Sequence, residues 1–115
     1  MGGCIVAVSS IAAKEASVNE HAYAASKAAL VALIKSVGKE LATTGITANT
    51  VAPGLVGTEL FYKLGAEHNA DGLRRAPMGR PATTDEVAAL TAWLLSKESS
   101  YTTAQCYDIS GRATY

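Results

Sequence analysis

Cys4-Ile5-Val6-Ala7-Val8 is apolar at every position, and that constrains the fold more than any other stretch. A strand with one wet face alternates apolar and polar residues. A run without alternation reads as a parallel strand covered on both faces. Parallel strands cannot be joined by a tight turn; they need a crossover, usually a helix. The chain supplies one. An alanine-rich stretch reads as a helix over residues 22–43, with Gly45 as a left-handed cap near its end. A second strand follows over about 46–52, and Pro53-Gly54 stops it. Residues 55–80 form a long connection with a short helix expected after Thr58. Thr83 and Glu86 have capping-box spacing, which predicts a helix over 84–96 with Val87, Leu90, Trp93 and Leu94 on or near its buried side. A third strand is expected over 105–109. Strand, helix, strand, helix, strand is an α/β doubly wound pattern of about three strands and two to three helices. In such sheets the site lies beyond the carboxyl ends of the strands.

The first strand, over residues 4–9, ends in Ser9-Ser10. Thirteen residues after Ser10 stands Tyr23, and Lys27 follows four residues later. Residues four apart share one helix face, so phenol and ammonium face the same way. A nearby cation favours a phenolate, which makes the phenol a better proton donor near neutrality. A serine hydroxyl from the strand tip can hydrogen-bond the reacting oxygen. The set Ser10, Tyr23 and Lys27 therefore suits carbonyl chemistry. Taken alone, a Y-x-x-x-K pair is a common surface pattern. The strand ending upstream and the apolar helix around it carry the functional reading.

That helix leaves almost no polar face in its first half: Ala24, Ala25, Ala28, Ala29, Leu30, Val31, Ala32, Leu33 and Ile34. A helix apolar all round is buried all round. One side covers the sheet, and the other needs a second surface. Lys35, Lys39 and Glu40 return its far end to water.

Composition removes several classes. A chain of 115 residues with 49% hydrophobic content suits one globular domain, not a disordered segment. Ten basic and ten acidic residues cancel, which gives no electrostatic case for nucleic acid. The apolar run at the start is too short for a membrane span. Cys4 and Cys106 fall on expected strands without metal-ligand spacing, so buried thiols in a reducing cytoplasm are the plain reading. His21 and His68 have no metal-like partners in the sequence, and no metal site is expected.

With these residues in view, the chain resembles the short-chain dehydrogenase/reductase family. The matching stretches are Ile5-Val6-Ala7-Val8-Ser9-Ser10, Tyr23-Ala24-Ala25-Ser26-Lys27-Ala28-Ala29, Gly45 through Gly54, and Tyr107-Asp108-Ile109-Ser110-Gly111, in the family's order. The resemblance implies an NAD- or NADP-dependent oxidoreductase that interconverts an alcohol and a ketone. It implies that Ser10 polarises the carbonyl and that Tyr23 gives or takes the proton. Lys27 would lower the tyrosine's pKa and bond the nicotinamide ribose. Pro53, Gly54, the Val56 backbone and the Thr58 hydroxyl would contact the cofactor; Leu60, Phe61, Tyr62 and Leu64, which follow, read equally as a lid over substrate or as ordinary core contacts. It also implies a cytoplasmic homo-oligomer, dimer or tetramer, joined through the apolar helix.

The family's glycine-rich dinucleotide turn is not in this sequence. Residues 1–115 therefore read as a partial NAD(P)-binding Rossmann domain, its C-terminal half. The second reading is a catalytically inactive, truncated subunit that associates through its apolar helix. Ala13 and Ala104 stand where the family often has glycine, and Ser110-Gly111-Arg112 has one glycine where two are frequent. Sugar acids, polyols and 3-oxoacyl thioesters all remain open as substrates, as do NAD or NADP and the direction of reaction.

Overall fold

The computed structural model describes residues 2–112. Met1 and residues 113–115 lie outside the described part. Three parallel strands form an open sheet in the order β1-β2-β3: β1 is Gly3–Val8, β2 Ile46–Pro53 and β3 Cys106–Ile109. The register runs from Gly3 opposite Ile46 to Val8 opposite Val51, and from Thr50 opposite Cys106 to Pro53 opposite Ile109. The α/β expectation holds, and all three strands lie where the sequence places them, within a residue or two.

The helices are α1 (Ala12–Glu15), α2 (His21–Glu40), α3 (Glu59–Arg75) and α4 (Thr84–Leu94). Two depart from the sequence reading. No helix is expected between the first strand and residue 22, yet Ile11 to Ala16 close a single helical turn, its end marked by Ala16 in the left-handed region. The connection after Thr58 is almost wholly helical. Gly65, at φ 83°, breaks it into two arms, and the buried Asn69 amide donates to the Phe61 carbonyl across the break at 2.7 Å. Helix α2 ends at Glu40, earlier than its alanine-rich pattern implies. Gly45 does adopt positive φ, but in the turn into β2 and not as the helix cap.

The core centres on β2. Ala48, Asn49, Thr50, Val51 and Ala52 are fully buried. Asn49 is tolerated there because its amide donates to the Thr102 carbonyl and its oxygen accepts from the Gln105 N–H. From α4 the buried anchor is Leu94. Trp93 corrects the expectation: it is 41% exposed.

Strand β1 is the outer strand of the described sheet. Its Ile5 and Val8 are exposed, although the sequence reads as covered on both faces. Helix α2 behaves similarly. It buries Ala24, Ile34 and Gly38, while Ala25, Ala28, Ala29, Ala32 and Leu33 face outward. The apolar-all-round pattern thus has only one side covered within this chain.

Candidate active site

The carboxyl ends of β1 and β2 and the first turns of α2 meet at one corner. Chain direction brings Ser9 and Ser10 out of β1 just as the sheet ends. The Ser9 N–H donates to Val51 and the Ile11 N–H to Pro53, so the ladder carries on past the strand and fixes the serines against β2. The Ser10 hydroxyl oxygen accepts from the Ala12 N–H at 3.1 Å, at the start of α1. A hydroxyl that accepts there keeps its own proton to give to a substrate oxygen.

Lys27 is held at both ends. Its ammonium donates to the Val8 carbonyl at 3.3 Å, and its own carbonyl accepts from the Ser9 hydroxyl at 2.9 Å. The same ammonium lies 5.7 Å from the Tyr23 ring centroid, within cation–π range. Tyr23 is 48% exposed, and its hydroxyl makes no hydrogen bond among the described residues. The structure thus joins Tyr23 and Lys27 to each other and to the tip of β1. Ser10 stands at that tip without a hydrogen bond to Tyr23.

Beyond Pro53-Gly54 the chain crosses to the segment ahead of α4. The Gly57 N–H donates to Ala82 and the Ala82 N–H to Leu55, leaving the Val56 N–H without a partner among the described residues. Thr58 caps α3: its hydroxyl oxygen accepts from the Phe61 N–H at 3.4 Å. A free N–H beside a hydroxyl fits a primary carboxamide, which needs a donor for its oxygen and an acceptor for its nitrogen. The donor set at Val56 and Thr58 is therefore compatible with a nicotinamide. Leu60, Phe61 and Leu64 line an apolar groove of about 230 Å³ on this side.

On the other side of Gly54 and Leu55 lies a second cleft, of about 200 Å³. Ser10 opens onto it, together with Glu15, Glu20, Asp71, Arg75 and Arg112. Sequence reasoning did not find this charged lining. Arg112 pairs with Glu15, and Lys14 pairs with Asp108 at 2.7 Å. Two consecutive residues of α1 are thereby tied to the end of β3. The available signal was Arg112 itself, a long cation where the family frequently has glycine. The Asp108 carboxylate raises the pKa of Lys14 above its ordinary value through their hydrogen bond. Burial pushes the Cys106 thiol up, the opposite of what a nucleophile needs. Among the described residues no cluster of three His, Cys, Asp or Glu side chains is placed to hold a metal ion. Nor is any described helix long and apolar enough to cross a membrane.

Known proteins resemble this chain along most of its length. A family model described as enoyl-(acyl carrier protein) reductase matches residues 1–111. A 3-oxoacyl-[acyl-carrier-protein] reductase of Chlamydia pneumoniae is 40% identical over 98% of this chain and 46% of its own length. A 2-dehydro-3-deoxy-L-rhamnonate dehydrogenase (NAD(+)) of Sphingomonas sp. (strain SKA58) is 40% identical over 97% of this chain and 45% of its own. The crystal structure of a 3-oxoacyl-[acyl-carrier protein] reductase from Brucella melitensis superposes with a TM-score of 0.88 at 37% identity, covering 95% of this chain and 41% of that one. The chain spans about half the length of the curated relatives it matches. With its parallel Rossmann-type sheet, its Ser10-Tyr23-Lys27 corner and these relatives, the chain belongs to the short-chain dehydrogenase/reductase family.

Proposed function

We propose that this chain is the catalytic half of an NAD(P)-dependent oxidoreductase that interconverts a secondary alcohol and a ketone. The observation that carries the reading is the placement of the Lys27 ammonium between the Val8 carbonyl and the Tyr23 ring, one residue from the Ser9-Ser10 tip. A nicotinamide dinucleotide, when bound, supplies a hydride in reduction and takes one up in oxidation. The Tyr23 phenol gives its proton to the carbonyl oxygen in reduction and takes the alcohol proton in oxidation. Ser10 donates to the same oxygen and holds it in line. Lys27 keeps positive charge beside the phenol, where negative charge develops as the proton leaves.

Pro53 and Gly54 shape the floor of the cofactor side, and the Val56 N–H and Thr58 hydroxyl hold the carboxamide. The choice between NAD and NADP rests on residues outside this chain; the Sphingomonas relative's name carries NAD(+). Residues 1–115 would then be one part of a larger Rossmann domain. The exposed face of α2, with Ala25, Ala29, Ala32 and Leu33, supports a homo-oligomeric contact with a second subunit. Two free cysteines fit a cytoplasmic setting.

The test is Tyr23→Phe in the full-length protein that carries this chain. Removal of a proton-transfer group lowers turnover on the order of a hundredfold or more, with the circular dichroism spectrum unchanged. Near-parental turnover in the phenylalanine variant would overturn the assignment.

A further inference from the structure

We infer that Lys14, Glu15, Asp108 and Arg112 are positioning residues for Ser10: two ion pairs across the end of the sheet hold the turn that aims its hydroxyl. This rests on the oxidoreductase reading above and adds to it what keeps the site in register.

The Ser10 hydroxyl oxygen accepts from the Ala12 N–H, so its direction follows α1. Yet α1 is one turn of four residues. A first helical turn fixes several dihedrals for a single hydrogen bond, so a helix this short does not hold itself together. Its end adds to the cost, because Ala16 sits at φ 51°, where a Cβ is crowded. Ile11 and Ala12 are buried and secure the start of the turn. The far end, Lys14 and Glu15, is secured from a distant part of the chain.

Lys14 bonds Asp108 across 94 residues, and Glu15 bonds Arg112 across 97. The other ion pairs among the described residues join groups no more than six residues apart, on side chains at least 43% exposed. The Arg112 and Glu15 side chains are only 11% and 21% exposed. Water and salt weaken an exposed pair; a pair drawn this far from water is screened less, and removing one partner strands the other.

The arrangement of signs fixes register. Consecutive helix residues point in different directions, so the two bridges grip the turn from two sides and oppose its rotation. Their polarities are opposite as well. A slip of α1 by one residue would bring Glu15 toward Asp108, like charge toward like. The anchors are themselves fixed. Asp108 lies in β3, and the Ser110 hydroxyl donates to the Arg112 carbonyl at 3.0 Å. The Ile11 N–H donates to Pro53 and the Gly54 N–H to Ile109, each at 3.0 Å, so α1 and the end of β3 meet at the same point of β2.

The test is a double-mutant cycle with Ser10 in the full-length protein. Turnover is read on diacetyl, a small activated diketone, with NADH and with NADPH, well below the thermal midpoint of every variant. Ser10→Ala should lower kcat about a hundredfold. Arg112→Met should lower it about tenfold and change the cofactor KM by less than about twofold. In the Ser10→Ala background the same substitution should cost less than about twofold, because a residue that acts through Ser10 has nothing left to position. Deuterium exchange over residues 11–16 should quicken in Arg112→Met while α4 keeps its protection. If Arg112→Met does not fold, Lys14→Met, which breaks the more exposed bridge, runs the same cycle. Equal losses in both backgrounds, or unchanged exchange over residues 11–16, overturn the inference and leave the bridges a structural role alone. Tyr23→Phe separates the two levels. If it and Ser10→Ala both match the parent, the oxidoreductase reading falls and this inference with it. If both are impaired and the bridge variant loses equally in the two backgrounds, only this inference falls.

Discussion

The Ser9 hydroxyl donates to the carbonyl oxygen of Lys27 at 2.9 Å, and Ser9 itself is only 5% exposed. The bond pins α2 to the end of β1 at the turn from which the Lys27 ammonium reaches back to Val8. Ser9 touches neither Tyr23 nor the reacting groups; it acts through the position of Lys27. Ser9→Ala removes one partly buried hydrogen bond, worth about 1 kcal/mol. Turnover in the full-length protein should fall several-fold while the substrate KM stays near the parent value, because the loss is in alignment and not in binding. Ser9→Thr, which keeps the hydroxyl, should recover most of the turnover. Equal kinetics for the alanine and threonine variants would remove Ser9 from the positioning role.

Gly38 is the point of closest approach between α2 and the sheet. A Cβ there would stand 2.9 Å from the Ala104 nitrogen and 3.0 Å from the Ala48 carbonyl oxygen, both backbone atoms with no rotamer to change. In an exposed helix interior, glycine to alanine gains about 1 kcal/mol. Here Gly38→Ala forces the helix off β2, and overpacking of this kind costs about 1–3 kcal/mol. Denaturant unfolding should show a net loss of about 1–2 kcal/mol. A stabilised variant would mean that α2 sits farther from the sheet than these contacts require.

Ala104 adopts φ 58° while its N–H donates to the Ala48 carbonyl at 2.8 Å. A left-handed alanine costs roughly 1–2 kcal/mol relative to the right-handed region. Glycine removes that strain but adds about 0.4–1 kcal/mol of unfolded-state entropy. Ala104→Gly should therefore stabilise the protein by about 0.5–1 kcal/mol, read from the shift in denaturant midpoint at constant slope. A drop in stability would place the entropy term above the strain.

The legible parts of the chain were those with a local cause. An apolar run without alternation identified β1 as a strand of a parallel sheet, the Tyr23–Lys27 spacing put both groups on one helix face, and Thr83 with Glu86 marked the start of α4. What the sequence did not give depends on distant partners. Helix α1 is a single turn, too short for a periodic signal, and ion pairs to Asp108 and Arg112 tether it. The charged cleft joins residues from α1, α3 and the end of the chain, so no spacing rule reaches it. Trp93 reads as core because it is large and apolar, yet Leu94 takes the inward position one residue on. Val8 and Leu33 are exposed although their patterns call for burial, and this supports the proposal that neighbouring surface covers them in the full assembly.

Glu86 couples a helix cap to an arginine. Its carboxylate accepts from Arg80 at 2.8 and 3.0 Å and from the Thr83 N–H at 2.9 Å, while the Thr83 hydroxyl accepts from the Glu86 N–H at 3.1 Å. The Arg80 guanidinium, followed by the Thr83 backbone, holds the carboxyl pKa down at about 2 from an ordinary 4.5. A group depressed in the folded state contributes stability above its unfolded pKa and loses it as pH falls through the folded one. The window is therefore from pH 4.5 down to about 2. Both side chains are exposed, so solvent screens the ion pair and its contribution to stability is small. Glu86→Gln keeps an acceptor for Thr83 and removes the titration. The difference in stability between parent and variant should be constant above pH 5, shrink between pH 4.5 and 2, and reach its minimum below that range. A difference that stays level across the acid range would show that Arg80 and Thr83 do not hold the carboxylate in solution.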